Sequence, residues 1–160
     1  DLGWTPTRNV IYMVDEDGVL TTWSVLNGQR SARWALSNQK LVNMDVASPL
    51  VAVGGGSETL IVTNPDRDTV QWRFDQGDFV NEIAFVPGGP LIASAAGDGS
   101  LTVWNVETGE KHFSRFAHAN IAYFVNASPG GDRLATVGSD NYIRLWDVAT
   151  GELVRQIQGR

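Results

Sequence analysis

Three tryptophans in this chain stand in the same local setting, and that repetition restricts the fold more than any other feature. Trp23, Trp104 and Trp146 each sit in an alternating segment: LTTWSV, LTVWNV and IRLWDV. A Gly follows each at one distance (Gly28, Gly109, Gly151), and six residues before each Trp stands an Asp (Asp17, Asp98, Asp140). Eleven residues before each Asp stands a Pro (Pro6, Pro87, Pro129). Columns that hold register in three segments mark an internal repeat. Trp104 and Trp146 are 42 residues apart and Trp23 and Trp104 are 81 apart, which leaves room for one further copy.

That further copy is degenerate. Residues 59–63 (TLIVT) fill the strand position, Thr63 stands where Trp is expected, and Ser57 takes the Asp column. Ser48-Pro49 marks its first turn, displaced, so that turn is shorter. Four copies with a period of 40–42 residues result. Trp72 and Phe74 fall in the last segment of the second copy, as Trp34 does in the first.

The copy from His118 to Gly151 is the clearest. Alternating apolar segments flank Pro129-Gly130-Gly131-Asp132, a third ends in Leu145-Trp146-Asp147, and Ala149-Thr150-Gly151 turns the chain into a fourth. Period-two alternation, β-branched and aromatic residues, and turn residues between segments predict short antiparallel strands. They are expected near 1–4, 9–15, 19–25 and 30–36; 41–46, 50–55, 59–63 and 69–74; 80–86, 91–96, 100–106 and 111–116; and 120–127, 133–138, 142–147 and 152–157. No segment keeps a 3.6-residue apolar period over three turns, so helix is expected to be almost absent.

Composition narrows the function. The 160 residues carry a net charge of −6 with no adjacent Lys or Arg residues, which argues against a nucleic-acid footprint. No apolar run approaches the ~20 residues of a membrane helix. The chain has no Cys, which excludes disulfides, thiolate catalysis and cysteine metal sites but is compatible with cytoplasmic and extracytoplasmic settings alike. It begins with Asp1 and shows no signal peptide, so either something was removed upstream or it is an excised piece.

A period near 40, four strands per unit and a Trp-Asp pair closing the third strand resemble the WD40 family of β-propellers. The resemblance covers the whole chain and implies an all-β fold: a WD40-type propeller segment over 1–160 with four blades of four-stranded antiparallel sheet, at about 1–37, 38–76, 77–117 and 118–160. It also implies a hydrogen-bonded side-chain set in the fourth repeat: Asp140 binds His118, His118 reaches Thr136, and Thr136 reaches the Trp146 indole. Repeat three keeps Ser94, Asp98 and Trp104 with Gln76 in the His position, which allows a partial network. Repeat one keeps Asp17 and Trp23 with Met13 in the hydroxyl position. Repeat two has Val53, Ser57 and Thr63, so packing of Val51, Val53, Leu60 and Val62 must hold it together.

By the same resemblance the chain starts inside a blade, and four blades are short of the seven or eight that usually close a ring. The expectation is a partial ring with wet faces carrying Trp34, Phe74 and Ile157, completed by a second copy or by other parts of a parent chain.

Catalytic and ligand readings are weak. A Ser/His/Asp set could be drawn from Ser94 or Thr136 with His118 and Asp140, but no G-x-S-x-G turn is present. Asp15-Glu16-Asp17-Gly18 lacks the ending of an EF-hand loop, and no Lys-Ser/Thr follows Gly54-Gly55-Gly56 as a phosphate loop requires. Asn126-Ala127-Ser128 is a formal glycosylation sequon at a strand end, followed at once by Pro129, and reads as a chance match. Trp34 and Trp72 read as blade packing rather than ligand stacking. No cofactor and no metal are expected.

The function expected is a non-catalytic scaffold for a protein or peptide. The resemblance gathers the turns at Glu16, Gly56, Asp98 and Asn141 on one face with His118, residues 37–40 including Lys40, and residues 75–78 including Asp75 and Asp78. That face is net acidic and suits a basic partner. The alternative is a sensory or substrate-gathering propeller domain of a larger membrane transport or signalling protein; flanking membrane helices would favour it, and flanking blades the scaffold.

Overall fold

The computed structural model describes residues 1–5 and 9–159, with backbone only at positions 4 and 5. Pro6, placed above in the first turn column, lies outside the described residues. Alternation produces four antiparallel sheets of four strands, each sheet contiguous in sequence. The first holds β1 (Leu2–Thr5), β2 (Val10–Val14), β3 (Val19–Ser24) and β4 (Arg30–Ala35), and the second β5 (Leu41–Ala47), β6 (Leu50–Gly55), β7 (Thr59–Asn64) and β8 (Thr69–Asp75). The third holds β9 (Val80–Phe85), β10 (Leu91–Ala96), β11 (Ser100–Asn105) and β12 (Lys111–Phe116). The fourth holds β13 (Ala122–Ala127), β14 (Arg133–Gly138), β15 (Tyr142–Asp147) and β16 (Leu153–Gln158). Every strand falls within two residues of its expected position. Among the described residues the one helical element is a 3-10 turn at Pro65–Arg67.

The sheets share a register. Thr136 pairs with Arg144 and Leu134 with Trp146; Ser94 pairs with Thr102 and Ile92 with Trp104; Val53 pairs with Ile61 and Met13 with Thr21. A residue in one sheet therefore has a definite counterpart in each of the others. The residue after the tryptophan column shapes the next turn: Asp147 Oδ1 accepts the N–H groups of Ala149 and Thr150 at 3.0 Å each, and Asn105 Oδ1 accepts those of Glu107 and Thr108. A short acceptor there replaces the hydrogen bonds that the strand gives up.

The core consists of three clusters, each between successive sheets. Tyr12, Val14 and Leu20 meet Leu41, Val51 and Val53 between the first and second. Leu60, Val62 and Phe74 meet Ile83, Ile92 and Trp104 between the second and third. Leu101, Val103 and Phe113 meet Val125, Leu134 and Trp146 between the third and fourth. Aromatic stacking reinforces the middle interface, with Phe74 and Trp104 ring centroids 4.6 Å apart and Trp72 beside Phe74 at 6.0 Å. The Trp72 indole also donates to Val106 O in the next sheet at 2.7 Å.

No such cluster joins the fourth sheet to the first among the described residues, so the ring is partial. The counterparts Leu20, Leu60 and Leu101 are fully buried, whereas Ile143 in the fourth sheet is 36% exposed. Phe74 is 4% exposed and its counterpart Ile157 43%. The expectation that Phe74 and Trp34 lie on wet faces is thus corrected. Each is covered by the sheet that follows it, Phe74 within the second interface and Trp34 against the first cluster.

Candidate functional site

The strands of each sheet run so that the second-to-third turn and the connection to the next sheet emerge at one end. At that end of the fourth sheet His118, 1% exposed, lies with Nε2 2.9 Å from Thr136 Oγ1 and Nδ1 2.8 Å from Asp140 Oδ1. The Trp146 indole N–H donates to Thr136 Oγ1 at 3.0 Å. The ionised Asp140 carboxylate can only accept, so Nδ1 carries the proton toward it, and Nε2 of the neutral ring then accepts from the Thr136 hydroxyl. Gly138 makes room for the ring, because a Cβ there would collide with it.

Asp140 has a further partner absent from the sequence reading: Arg144 Nη1 donates to Oδ2 at 2.7 Å. The backbone N–H groups of Tyr142 and Ala119 also donate to the carboxylate. Burial pushes its proton affinity up, but the bonds from His118, Arg144, Tyr142 and Ala119 together hold it well below the usual carboxylate range. No sequence signal marked it, because an i,i+4 spacing brings side chains together on a helix and not along a strand.

The third sheet holds a partial network, which includes Gln76 and Ser94 and leaves out Asp98 and the Trp104 indole. Ser94 Oγ donates to Gln76 Oε1 at 2.6 Å, and Gln76 Nε2 donates to Ser100 Oγ and Thr102 Oγ1 at 3.0 and 3.1 Å. Asp98 stands apart, exposed, and accepts from Ser100 N at 2.9 Å. The Trp104 indole N–H is buried without a partner. An amide in place of the imidazole finds three hydroxyls nearby, so nothing draws Asp98 inward. In the first sheet Asp17 is exposed and Trp23 half-buried. There Asp15 shapes the turn, its Oδ1 accepting from Asp17 N and Val19 N.

The other candidates lie around the same end. Lys40 pairs with Glu16 at 2.6 Å, linking the first two sheets at the surface. Asp75 and Asp78 each accept a local N–H, from Gly77 and Phe79. Asn141 occupies a left-handed turn with φ 61°. Sequence reading missed Phe79, whose ring is 41% exposed and rests on Gly97, where a Cβ would collide with it. No group of three or more metal-binding side chains converges among the described residues.

The two buried tryptophans should respond differently to loss of the indole N–H. Trp146→Phe is expected to cost about 1–3 kcal/mol, because it removes a buried partner of Thr136. Trp104→Phe, which removes an unpaired donor and loses packing alone, is expected to cost clearly less than Trp146→Phe; urea unfolding of both variants checks the contrast. Asp140 gives a pH signature. Its folded affinity for protons lies below the unfolded value of about 3.9, so its stabilisation is complete above that pH and is lost as pH falls below about 4. Asp140→Asn should lower stability at pH 7 and flatten the acid limb in melting curves taken from pH 7 to 2.

The family model described as "WD domain, G-beta repeat" matches residues 70–105 and 110–147. Comparison with curated proteins gives no match. Among solved structures 1526 chains match, so the architecture is common and selects no single function. One of them, "Structure of U3-55K", has a TM-score of 0.89 at 21% identity over 99% of this chain and 51% of that one. The chain spans about half the length of that relative, and at this identity the likeness is one of fold. The chain thus carries two repeats that match the WD domain model, set within four sheets of common register, and has the fold of a partial β-propeller.

Proposed function

We propose that this chain is a non-catalytic scaffold that holds a basic protein segment on the face formed by the β2–β3, β6–β7 and β10–β11 turns and the β8–β9 connection. WD40 propellers serve generally in protein interaction. The observation that carries the finer reading is the surround of Phe79. Asp75 and Asp98 are exposed and Asp78 half-buried beside it, with exposed Glu58 on the neighbouring turn. Lys40, the basic candidate of the set, is already paired with Glu16. An exposed ring among carboxylates suits an Arg or Lys side chain, which can stack on the ring while its charge meets the acids. The groups that would do chemistry, His118 and Asp140, are held by structural partners.

Calorimetric titration with a capped Arg/Lys-rich peptide is expected to show salt-sensitive binding that Phe79→Ala weakens about tenfold or more. Equal affinity for an acidic peptide of the same length, or no loss in F79A, would overturn the reading.

We further propose that the chain acts as one unit, with blades at about 1–37, 38–76, 77–117 and 118–160, whose ring is completed by a second copy or by other blades of a parent chain. The support is the fourth sheet, where Ile143 and Ile157 are exposed while Leu20, Leu60 and Leu101, at the position of Ile143, and Phe74, at that of Ile157, are buried. A two-fold closure would set that face against the first sheet of the partner. Light scattering of the isolated chain should report a dimer or large aggregates; a stable monomer at micromolar concentration would sink the idea.

A further inference from the structure

The register that relates the four sheets also identifies a site in the second one. In the fourth sheet the positions of His118, Ala119, Asp140, Tyr142, Arg144 and Gln156 are filled by one interlocked cluster around the Asp140 carboxylate. Their counterparts in the second sheet are Ser37, Asn38, Ser57, Thr59, Ile61 and Arg73. The backbone correspondence is close: Leu36 N and Ser37 N both bond to Gly18 O, as Ala117 N and His118 N bond to Gly99 O. Small side chains now stand where the imidazole and the carboxylate would be. The result is a cavity of about 490 Å³ lined by these residues with Ala35, Leu36 and Gln39.

The chemistry of that cavity is one-sided. Arg73 is the charged residue in its lining, and no carboxylate is among the described lining residues. Glu58, next to Ser57, lines an adjoining hollow instead. Arg73 Nη2 donates to Leu36 O at 2.9 Å, which ties the guanidinium to the cavity wall and leaves further N–H donors on a group that carries five. Ser37, Ser57 and Thr59 add hydroxyls, and Asn38 and Gln39 add amides.

We infer that this cavity binds an acidic side chain, Asp or Glu, of a partner, whose carboxylate takes the place that Asp140 fills in the fourth sheet. Arg73 supplies the cation that Arg144 supplies there, and the Asn38 N–H corresponds to that of Ala119, which binds Asp140; the Thr59 N–H, the counterpart of Tyr142, meets Ser57 Oγ at 3.4 Å, a long bond that a carboxylate would replace. Carboxylate and guanidinium match in geometry as well as charge. The site lies on the same end of the sheets as Phe79 but is independent of the basic-segment reading, since it needs the opposite charge.

The probe is capped glutamate (N-acetylglutamate N-methylamide), titrated into the isotopically labelled chain with capped glutamine as the uncharged control. Saturable shifts are expected at the amides of Asn38, Ser57 and Thr59, with affinity on the order of millimolar, and none with capped glutamine. Arg73→Gln should abolish them. Ser57→Asp provides a second route that does not depend on how R73Q folds: a carboxylate in the chain itself should occupy the cavity, abolish the glutamate response and raise the melting temperature at pH 7. Equal shifts with glutamine, a response that survives S57D, or saturation by inorganic phosphate with none by the glutamate would each overturn the assignment.

Discussion

Every element of this structure depends on the packing of one sheet face onto the next. A four-stranded sheet with apolar residues on both faces cannot stand alone in water, because each face carries several aliphatic side chains worth about 1.5–3 kcal/mol apiece when buried. The common register turns that requirement into an ordered stack. Leu20, Leu60 and Leu101 occupy one position in successive sheets, and each is sealed by the sheet that follows. Trp72, Phe74 and Trp104 extend the middle contact outward as a column of rings. Ile143 holds the same position but is 36% exposed, and among the described residues no core cluster lies beyond it.

Polar groups at the rim follow the same register with three different solutions. The fourth sheet buries an imidazole, a hydroxyl and an indole and pairs all of them, with Asp140 and Arg144 closing the set. The third replaces imidazole by amide and satisfies Gln76 through hydroxyls, at the cost of an unpaired Trp104 N–H. The second abandons the set, placing Val53 and Ile61 where a hydroxyl and a guanidinium stand in the fourth. An apolar replacement of a whole network can be nearly neutral, whereas losing one member leaves a buried group unpaired. Repeat two shows the first case and repeat three the second.

The same rim brings two opposite electrostatic environments close together. Around Phe79 the turns contribute carboxylates, since Asp and Glu are at home in tight connections and accept local N–H groups there. Between the first two sheets the lost network removes a carboxylate and leaves Arg73 facing hydroxyls and amides. A surface with both characters can discriminate partners by charge pattern as well as net charge.

The Trp, Asp and Gly columns determined the number of strands, their bounds and their order, because a period of two within a period of 40–42 residues admits few arrangements. The set of His118, Thr136, Asp140 and Trp146 was legible only through the resemblance to the WD40 family that those columns carry. What those columns left open was whether an Asp in the right place has a donor to turn toward. Asp98 and Asp17 hold the column of Asp140, yet both remain in solvent, because no imidazole reaches them. Phe74 and Ile157 are equivalent in pattern and differ in burial, since one has a sheet packed beyond it and, among the described residues, the other has none. Arg144, Phe79 and Arg73 acquired their meaning from neighbours on other strands. Local alternation is written in a single segment, but a hydrogen bond, a covered face or a cavity exists only when two segments meet, and that was decided by the tertiary structure.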